Sequence, residues 1–167
     1  MTNRTRGKND RILAIAPSSR GFGFAVLEGR ATLIDWGVKS VTGDKNAGTL
    51  KKVESLVSHY QPAVLVLQDA AAKGSWRSSR IRKLTNKLVA MAANGKVKVA
   101  LFSREQVKQA FFDDGKGTKY TIARILAGRF PEELGHRLPP KRKPWKSEDY
   151  RMGIFDSVAL ALTLRKQ

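Results

Sequence analysis

The sequence contains no cysteine, which excludes disulfides and thiolate zinc centres and fits a reducing compartment. Histidine is nearly as scarce: His59 and His136 are the only two, too few for a histidine-rich metal site. No apolar run reaches membrane-spanning length, and the opening MTNRTRGKND lacks an apolar signal-peptide core. Residues 1–10 read instead as a flexible basic arm that either touches phosphates or frays, ahead of one domain over 11–167. Acidic residues are also in short supply. The chain has 14 Asp and Glu against 32 Lys and Arg, a net charge of +18. A field of that size attracts polyanions, nucleic acid first and an anionic membrane surface second. A surface that only solubilises mixes both signs. No basic amphipathic helix stands apart from the apolar pattern, so no membrane partner is expected.

What is present is a globular composition. Hydrophobic residues make up 41% of 167, enough for one domain with a substantial core. RILAIA (11–16) is a short apolar run flanked by charge, the pattern of a central strand. PSSRG turns the chain, and FGFAVLE (22–28) reads as a second strand, with Gly21 and Gly23 allowing close backbone approach. After a tight turn, ATLIDWGVKSV (31–41) reads as a third. Short turns between three strands imply an antiparallel meander.

Leu50, Val53, Leu56 and Val57 then recur at helical spacing within 46–61, and Pro62 closes the helix. AVLVLQD (63–69) is apolar almost throughout, which suits a strand buried on both faces. A helix over 80–95 and a strand over 96–103 follow. Next come a short helix, REQVKQAFF, another from about Thr118, a loop of prolines and cations, and a last helix over 150–164. Strands four and five, each reached through a helix, should join the sheet in parallel. The expected fold is α/β: a mixed five-stranded sheet, antiparallel meander plus two parallel strands, with helices on both faces.

The last helix is apolar nearly all round, yet it carries Asp156. A carboxylate there needs a pairing partner, hydrogen bonds or a metal. It either bonds to backbone or an arginine, or it faces the strand ends as a metal ligand.

Three segments, ILAIAPSSRGFGFAV, AVLVLQ and FDSVALALT, occur in that order. They resemble the first strand, fourth strand and last helix of the RuvC-like branch of the RNase H superfamily. The resemblance covers most of residues 11–165, and FSREQVKQAFFDDGKGTK is similar to the segment these proteins place after the fifth strand. It implies an RNase H-like fold. It implies two Mg²⁺ or Mn²⁺ ions about 4 Å apart that hydrolyse a phosphodiester, leaving 5′-phosphate ends. It also implies a homodimer acting on branched DNA, four-way junctions above all, in a bacterial-type cytoplasm and on the nucleoid when bound to DNA.

The family's carboxylates hold those hard cations through oxygen. Carried over by motif, they fall on Ala16 (first strand, expected Asp), Gln68 (fourth strand, expected Glu) and Asp156 (last helix). A further acid or histidine, three residues before the last aspartate, falls on Gly153. Alanine cannot ligate, and a glutamine carbonyl brings no charge. Metal binding is impaired on this reading, and Asp156 is the one clear ligand left. Among substitutes, Asp69 adjoins Gln68, but adjacent strand residues point to opposite faces, so it helps only if the strand has ended. Asp149 lies seven residues before Asp156, too far along a helix for one metal. Glu148 and Asp149 are expected instead to begin that helix, capped by Ser147. Asp113 and Asp114 fall in a loop. Two origins fit Ala16 and Gln68: a natural relative kept for binding, or a nuclease disarmed on purpose by changes that remove charge with little reshaping.

For nucleic acid, KGSWRSSRIRK offers Lys73, Arg77, Arg80, Arg82 and Lys83 to phosphates. Trp76 among them either stacks on an unpaired base or packs under its own loop. Lys116 and Lys119 sit at an expected helix N-terminus, which attracts phosphate. Lys141, Arg142, Lys143 and Trp145 form the densest cationic stretch, either a wedge or clamp beside the last helix or a solvated loop. The helix over 80–95, with Ala90, Ala92 and Ala93, either pairs protomers as in the family or lies on its own sheet. Three functions stay open: a disarmed junction endonuclease, a non-catalytic nucleic-acid-binding module, and an RNA-processing nuclease of the same fold.

Overall fold

A computed structural model of the chain describes residues 10–72 and 77–166. Its strands are β1 (Ile12–Pro17), β2 (Gly21–Glu28), β3 (Thr32–Ser40), β4 (Val64–Gln68) and β5 (Lys98–Phe102). They form one sheet in the order β3-β2-β1-β4-β5. β1 pairs antiparallel with β2, β2 antiparallel with β3, and β4 runs parallel to both β1 and β5. The expected meander with two parallel additions is the architecture found.

The alternation along β1 assigns its two faces. Leu13 and Ile15 pack with Val53 and Leu56 of α1 (Lys45–Tyr60) and with Leu84 and Leu88 of α2 (Ser79–Asn94). Ile12 and Ala14 face the opposite way, against α6 (Met152–Arg165), where Phe155, Val158 and Leu162 are buried with them. Between β5 and α6 the chain adds α3 (Arg104–Phe111), α4 (Lys119–Arg129) and α5 (Pro131–Leu134), the last running into a short 3₁₀ turn over Gly135–Arg137. That small turn was not legible in the sequence pattern. Helices therefore cover both faces, and the sheet has a core on each side.

Helix starts follow side-chain caps. Asp44, Ser78, Ser103 and Thr118 each accept a hydrogen bond from the backbone amide three residues on. The start of α6 departs from expectation. Ser147, Glu148 and Asp149 precede the helix rather than begin it. Asp149 Oδ1 accepts from the Arg151 amide at 2.9 Å and from Arg151 Nε at 3.0 Å. This local bonding folds the segment into turns, and the helix begins only at Met152.

Two glycines let α6 lie on the sheet. A Cβ on Gly23 would stand 2.2 Å from the carbonyl carbon and oxygen of Gly153. Backbone meets backbone at that crossing, so the close approach expected of Gly23 is used. Gly21 is equally confined: a Cβ there would stand 2.0 Å from the Lys39 carbonyl oxygen.

The far edge of the sheet is pinned by a polar cluster. The Tyr60 hydroxyl donates to Asp35 Oδ2 on β3, Arg11 Nε donates to Glu28 Oε1 at 2.8 Å and Arg11 Nη1 to the Tyr60 carbonyl at 3.1 Å. The bond to the Asp35 carboxylate, followed by burial, pushes the Tyr60 phenol from 10.0 up to about 12. A raised phenol stabilises the fold fully below pH 10.0 and loses that contribution as pH rises towards about 12. A phenolate absorbance titration should therefore show one late tyrosine that Tyr60→Phe removes. A late step that survives in Tyr60→Phe would assign it elsewhere.

Candidate nucleic-acid interface

In open α/β sheets the ligand side lies at the carboxyl ends of the parallel strands. The β1–β4 register pairs Ile15 with Leu67. The next residues, Ala16, one before the end of β1, and Gln68, the last of β4, lie on the face carrying Ala14 and Val66 and hence α6. Ala16 also pairs with Gly23, where Gly153 rests. The glycine crossing thus brings α6 down beside Ala16, and Asp156 follows one turn later. Ala16, Gln68 and Asp156 line one cavity of about 260 Å³. The three positions singled out by motif converge in space.

Asp156 does not stand alone there. Lys119 Nζ lies 3.0 Å from Asp156 Oδ2 and 2.8 Å from Glu148 Oε2, and the lysine and Asp156 side chains are 28% and 30% exposed. Burial pushes the Asp156 carboxyl upward and outweighs the opposing pull of Lys119. Burial works to lower Lys119, but Asp156 and Glu148 outweigh it and hold the ammonium above its ordinary range. The expected helix N-terminus is present, with Thr118 as cap and Lys119 as first residue. Lys119 faces the two carboxylates, while Lys116 is exposed in the loop before it.

Asp69 also lines the cavity, because β4 has ended at Gln68. Its Oδ1 accepts from the Ala71 amide at 3.1 Å. Asp149 is engaged by Arg151, whose hydrogen bond holds its carboxyl below the usual range. Asp113 and Asp114 are exposed in the α3–α4 loop, outside the cavity lining. Gly153 brings no ligand of its own, and a side chain there would be crowded: a Cβ would lie 3.2 Å from Gly23 Cα and 3.3 Å from Gly23 N, so the backbone would have to give by a few tenths of an ångström.

A two-metal centre needs several converging oxygen anions. Here Ala16 supplies none, Gln68 a neutral oxygen, and Asp156 a carboxylate already paired with Lys119. No group of three or more His, Cys, Asp or Glu is placed to hold an ion among the described residues. The donor set does not fit the metal pair.

A second, wider groove of about 790 Å³ adjoins the first and shares Ala16, Arg77 and Asp156 with it. Lys141, Arg142, Lys143 and Lys146 line one wall and Arg20 and Arg80 another. Trp145 stands 75% exposed in the same loop, with Lys143 Nζ 5.6 Å above its ring, and Tyr150 is 54% exposed. Arg77 and Arg80 do more than offer charge. Arg77 Nη2 donates to the Pro17 carbonyl at 2.6 Å, and Arg80 Nη2 to the Ser18 carbonyl at 3.0 Å. They hold the β1–β2 turn at the rim, and burial lowers the Arg77 pKa against the pull of Asp156 and Glu148. Arg82 and Lys83 are exposed on α2 and outside both linings. Lys73 and Trp76 lie outside the described residues.

Sequence reasoning missed Glu148 as the partner of Lys119. It also missed Arg104 and Lys108, which line the cavity from α3. Topology held the signal: the residues after β5 must arrive at the same sheet end as those after β1 and β4.

No family model and no curated protein matches the sequence. Solved structures do match. The chain is similar to Thermus thermophilus RuvC at 20% identity and a TM-score of 0.66, over 92% of each chain. The same protein in complex with a Holliday junction substrate matches at 19% identity and a TM-score of 0.64, over 92% of this chain and 90% of that one. The yeast mitochondrial Holliday junction resolvase Ydc2 matches at 13% identity and a TM-score of 0.65, over 95% of this chain and 78% of that one. The fold is the RuvC-type RNase H-like fold.

Proposed function

We propose that this chain binds branched DNA, four-way junctions foremost, as a homodimer, and does not hydrolyse the strand it holds. One observation carries the reading. A groove walled by cations opens directly onto the strand ends, where Ala16 and Gln68 stand beside Asp156 in the places of the expected carboxylates. The net charge of +18 supplies attraction without sequence readout. Similarity in fold to a RuvC solved with a Holliday junction substrate supports the choice of branched DNA. Trp145 and Tyr150 offer aromatic faces to bases unpaired at a branch. Among the described residues no helix is long and apolar enough to cross a membrane.

Contacts of this kind make affinity steeply salt-dependent. Junction binding should weaken about a thousandfold or more between roughly 50 and 200 mM salt. Replacing Lys141, Arg142 and Lys143 together by glutamate should weaken binding at every salt and flatten that slope. A fluorescence-anisotropy titration of a labelled junction reads both. A flat salt response, or an unchanged slope in the triple variant, would remove the groove from the binding surface, and tighter binding to structured RNA would change the partner.

A further inference from the structure

We infer that the Lys119 ammonium, seated between the carboxylates of Asp156 and Glu148, takes the place of a divalent cation, so that this chain engages nucleic acid without metal. The inference deepens the function proposed above and rests on that reading for its nucleic-acid part only.

The geometry is that of an internal counter-ion. One Nζ reaches Asp156 Oδ2 at 3.0 Å and both Glu148 oxygens, at 2.8 and 3.1 Å. It thus draws together carboxylates from two separate segments, as a cation at the strand ends would. The lysine is fixed rather than loosely swung in. It opens α4 directly after Thr118, whose Oγ1 accepts from the Thr121 amide at 3.1 Å while Thr121 Oγ1 accepts from the Thr118 amide at 2.8 Å. A cation in a helix's first turn opposes the macrodipole and is unfavourable there unless anions face it. Asp156 and Glu148 are those anions, which gives Lys119 a reason to sit where helix electrostatics alone would not place it.

Charge balance points the same way. Among the described residues, the cavity lining sets four cations, Arg77, Arg104, Lys108 and Lys119, against three carboxylates, Asp69, Glu105 and Asp156, and Glu148, bonded to Lys119 from the adjoining groove, brings the balance to four against four. A dication entering this site would find its carboxylates already balanced by the protein's own cations and would have to displace an ammonium holding the one carboxylate at the motif position. A phosphate gains from the same balance: the anion at the site is neutralised by the protein itself.

The test has an arm without DNA. Mn²⁺ is titrated by calorimetry into the chain and into Lys119→Met, with Asp156→Asn as the control for site occupancy. The unaltered chain should show no saturable binding that Asp156→Asn abolishes. Lys119→Met, relieved of its ammonium, should gain such binding. On a labelled junction, the unaltered chain should bind equally in EDTA and in Mg²⁺. Lys119→Met should bind roughly tenfold or more weakly in EDTA, because two unpaired carboxylates then face the phosphates, and recover in Mg²⁺. Saturable, Asp156-dependent Mn²⁺ binding by the unaltered chain overturns the inference. So does a folded Lys119→Met that gains none. The unaltered chain's arm decides even where Lys119→Met does not fold. If the Mn²⁺ results hold but no junction is bound, the counter-ion stands and the proposed function falls.

Discussion

Gly23→Ala is expected to destabilise the protein by about 3 kcal/mol or more, the upper range for overpacking a core. The added Cβ would lie 2.2 Å from the carbonyl carbon and oxygen of Gly153 and 2.7 Å from its Cα. All three atoms are backbone, so no side-chain rotation relieves the collision. Helix α6 must rise off β2, and with it Phe155 and Val158, which are buried against the sheet. The loss reaches the site, because Asp156 stands one turn from the contact and Ala16 is the register partner of Gly23. Gly128→Ala is the matched control. Position 128 lies in α4 with nothing within 4 Å of an added Cβ, so it should stabilise by roughly 0.5–1 kcal/mol. Urea denaturation of both variants reads the contrast. A mild Gly23→Ala would mean that α6 is not seated on the sheet as described.

The second large effect is expected from Ala16→Asp combined with Gln68→Glu. Both positions lie at the carboxyl ends of neighbouring strands on the face of Asp156, so the double variant puts a carboxylate at all three motif positions and raises the lining of one cavity of about 260 Å³ from three carboxylates to five. Without metal, their mutual repulsion and burial should lower the melting temperature. With Mn²⁺ the sign reverses. A ligand at roughly 100 times its Kd adds about 2.7 kcal/mol to stability. Thermal denaturation with and without Mn²⁺ should show a gain in the variant and none in the unaltered chain. Strand incision of a four-way junction should appear only in the variant and only with metal. A variant that gains neither metal response nor incision, even after Lys119→Met is added to free Asp156, would mean that positions 16 and 68 are not the metal positions that the motif implies.

Much of this was legible because short-range pattern and topology agreed. The alternation in RILAIA and the apolar run in AVLVLQ gave the strands, and glycines 21 and 23 announced close packing. The convergence of Ala16, Gln68 and Asp156 followed from motif order. What the pattern did not carry was partnership between segments distant in sequence. Lys119 read as a phosphate ligand at a helix start, because its anions lie 29 and 37 positions away. Arg77 and Arg80 read as phosphate ligands alone, because the carbonyls they hold, at the end of β1 and in the β1–β2 turn, lie about 60 positions away. The start of α6 was misplaced because Asp149 prefers local bonds to Arg151 over helix entry. Side-chain hydrogen bonds decided each of these, and spacing does not encode them.

The most direct measurement is competition binding of the unaltered chain in EDTA. A labelled four-way junction is challenged with unlabelled linear duplex of the same arms, and the strands are then run on a denaturing gel after Mg²⁺ is added. The expected result is a junction complex that survives excess duplex and releases intact strands. Loss of the complex at stoichiometric duplex, or symmetric incisions once Mg²⁺ is present, would contradict binding of branched DNA at a disarmed site.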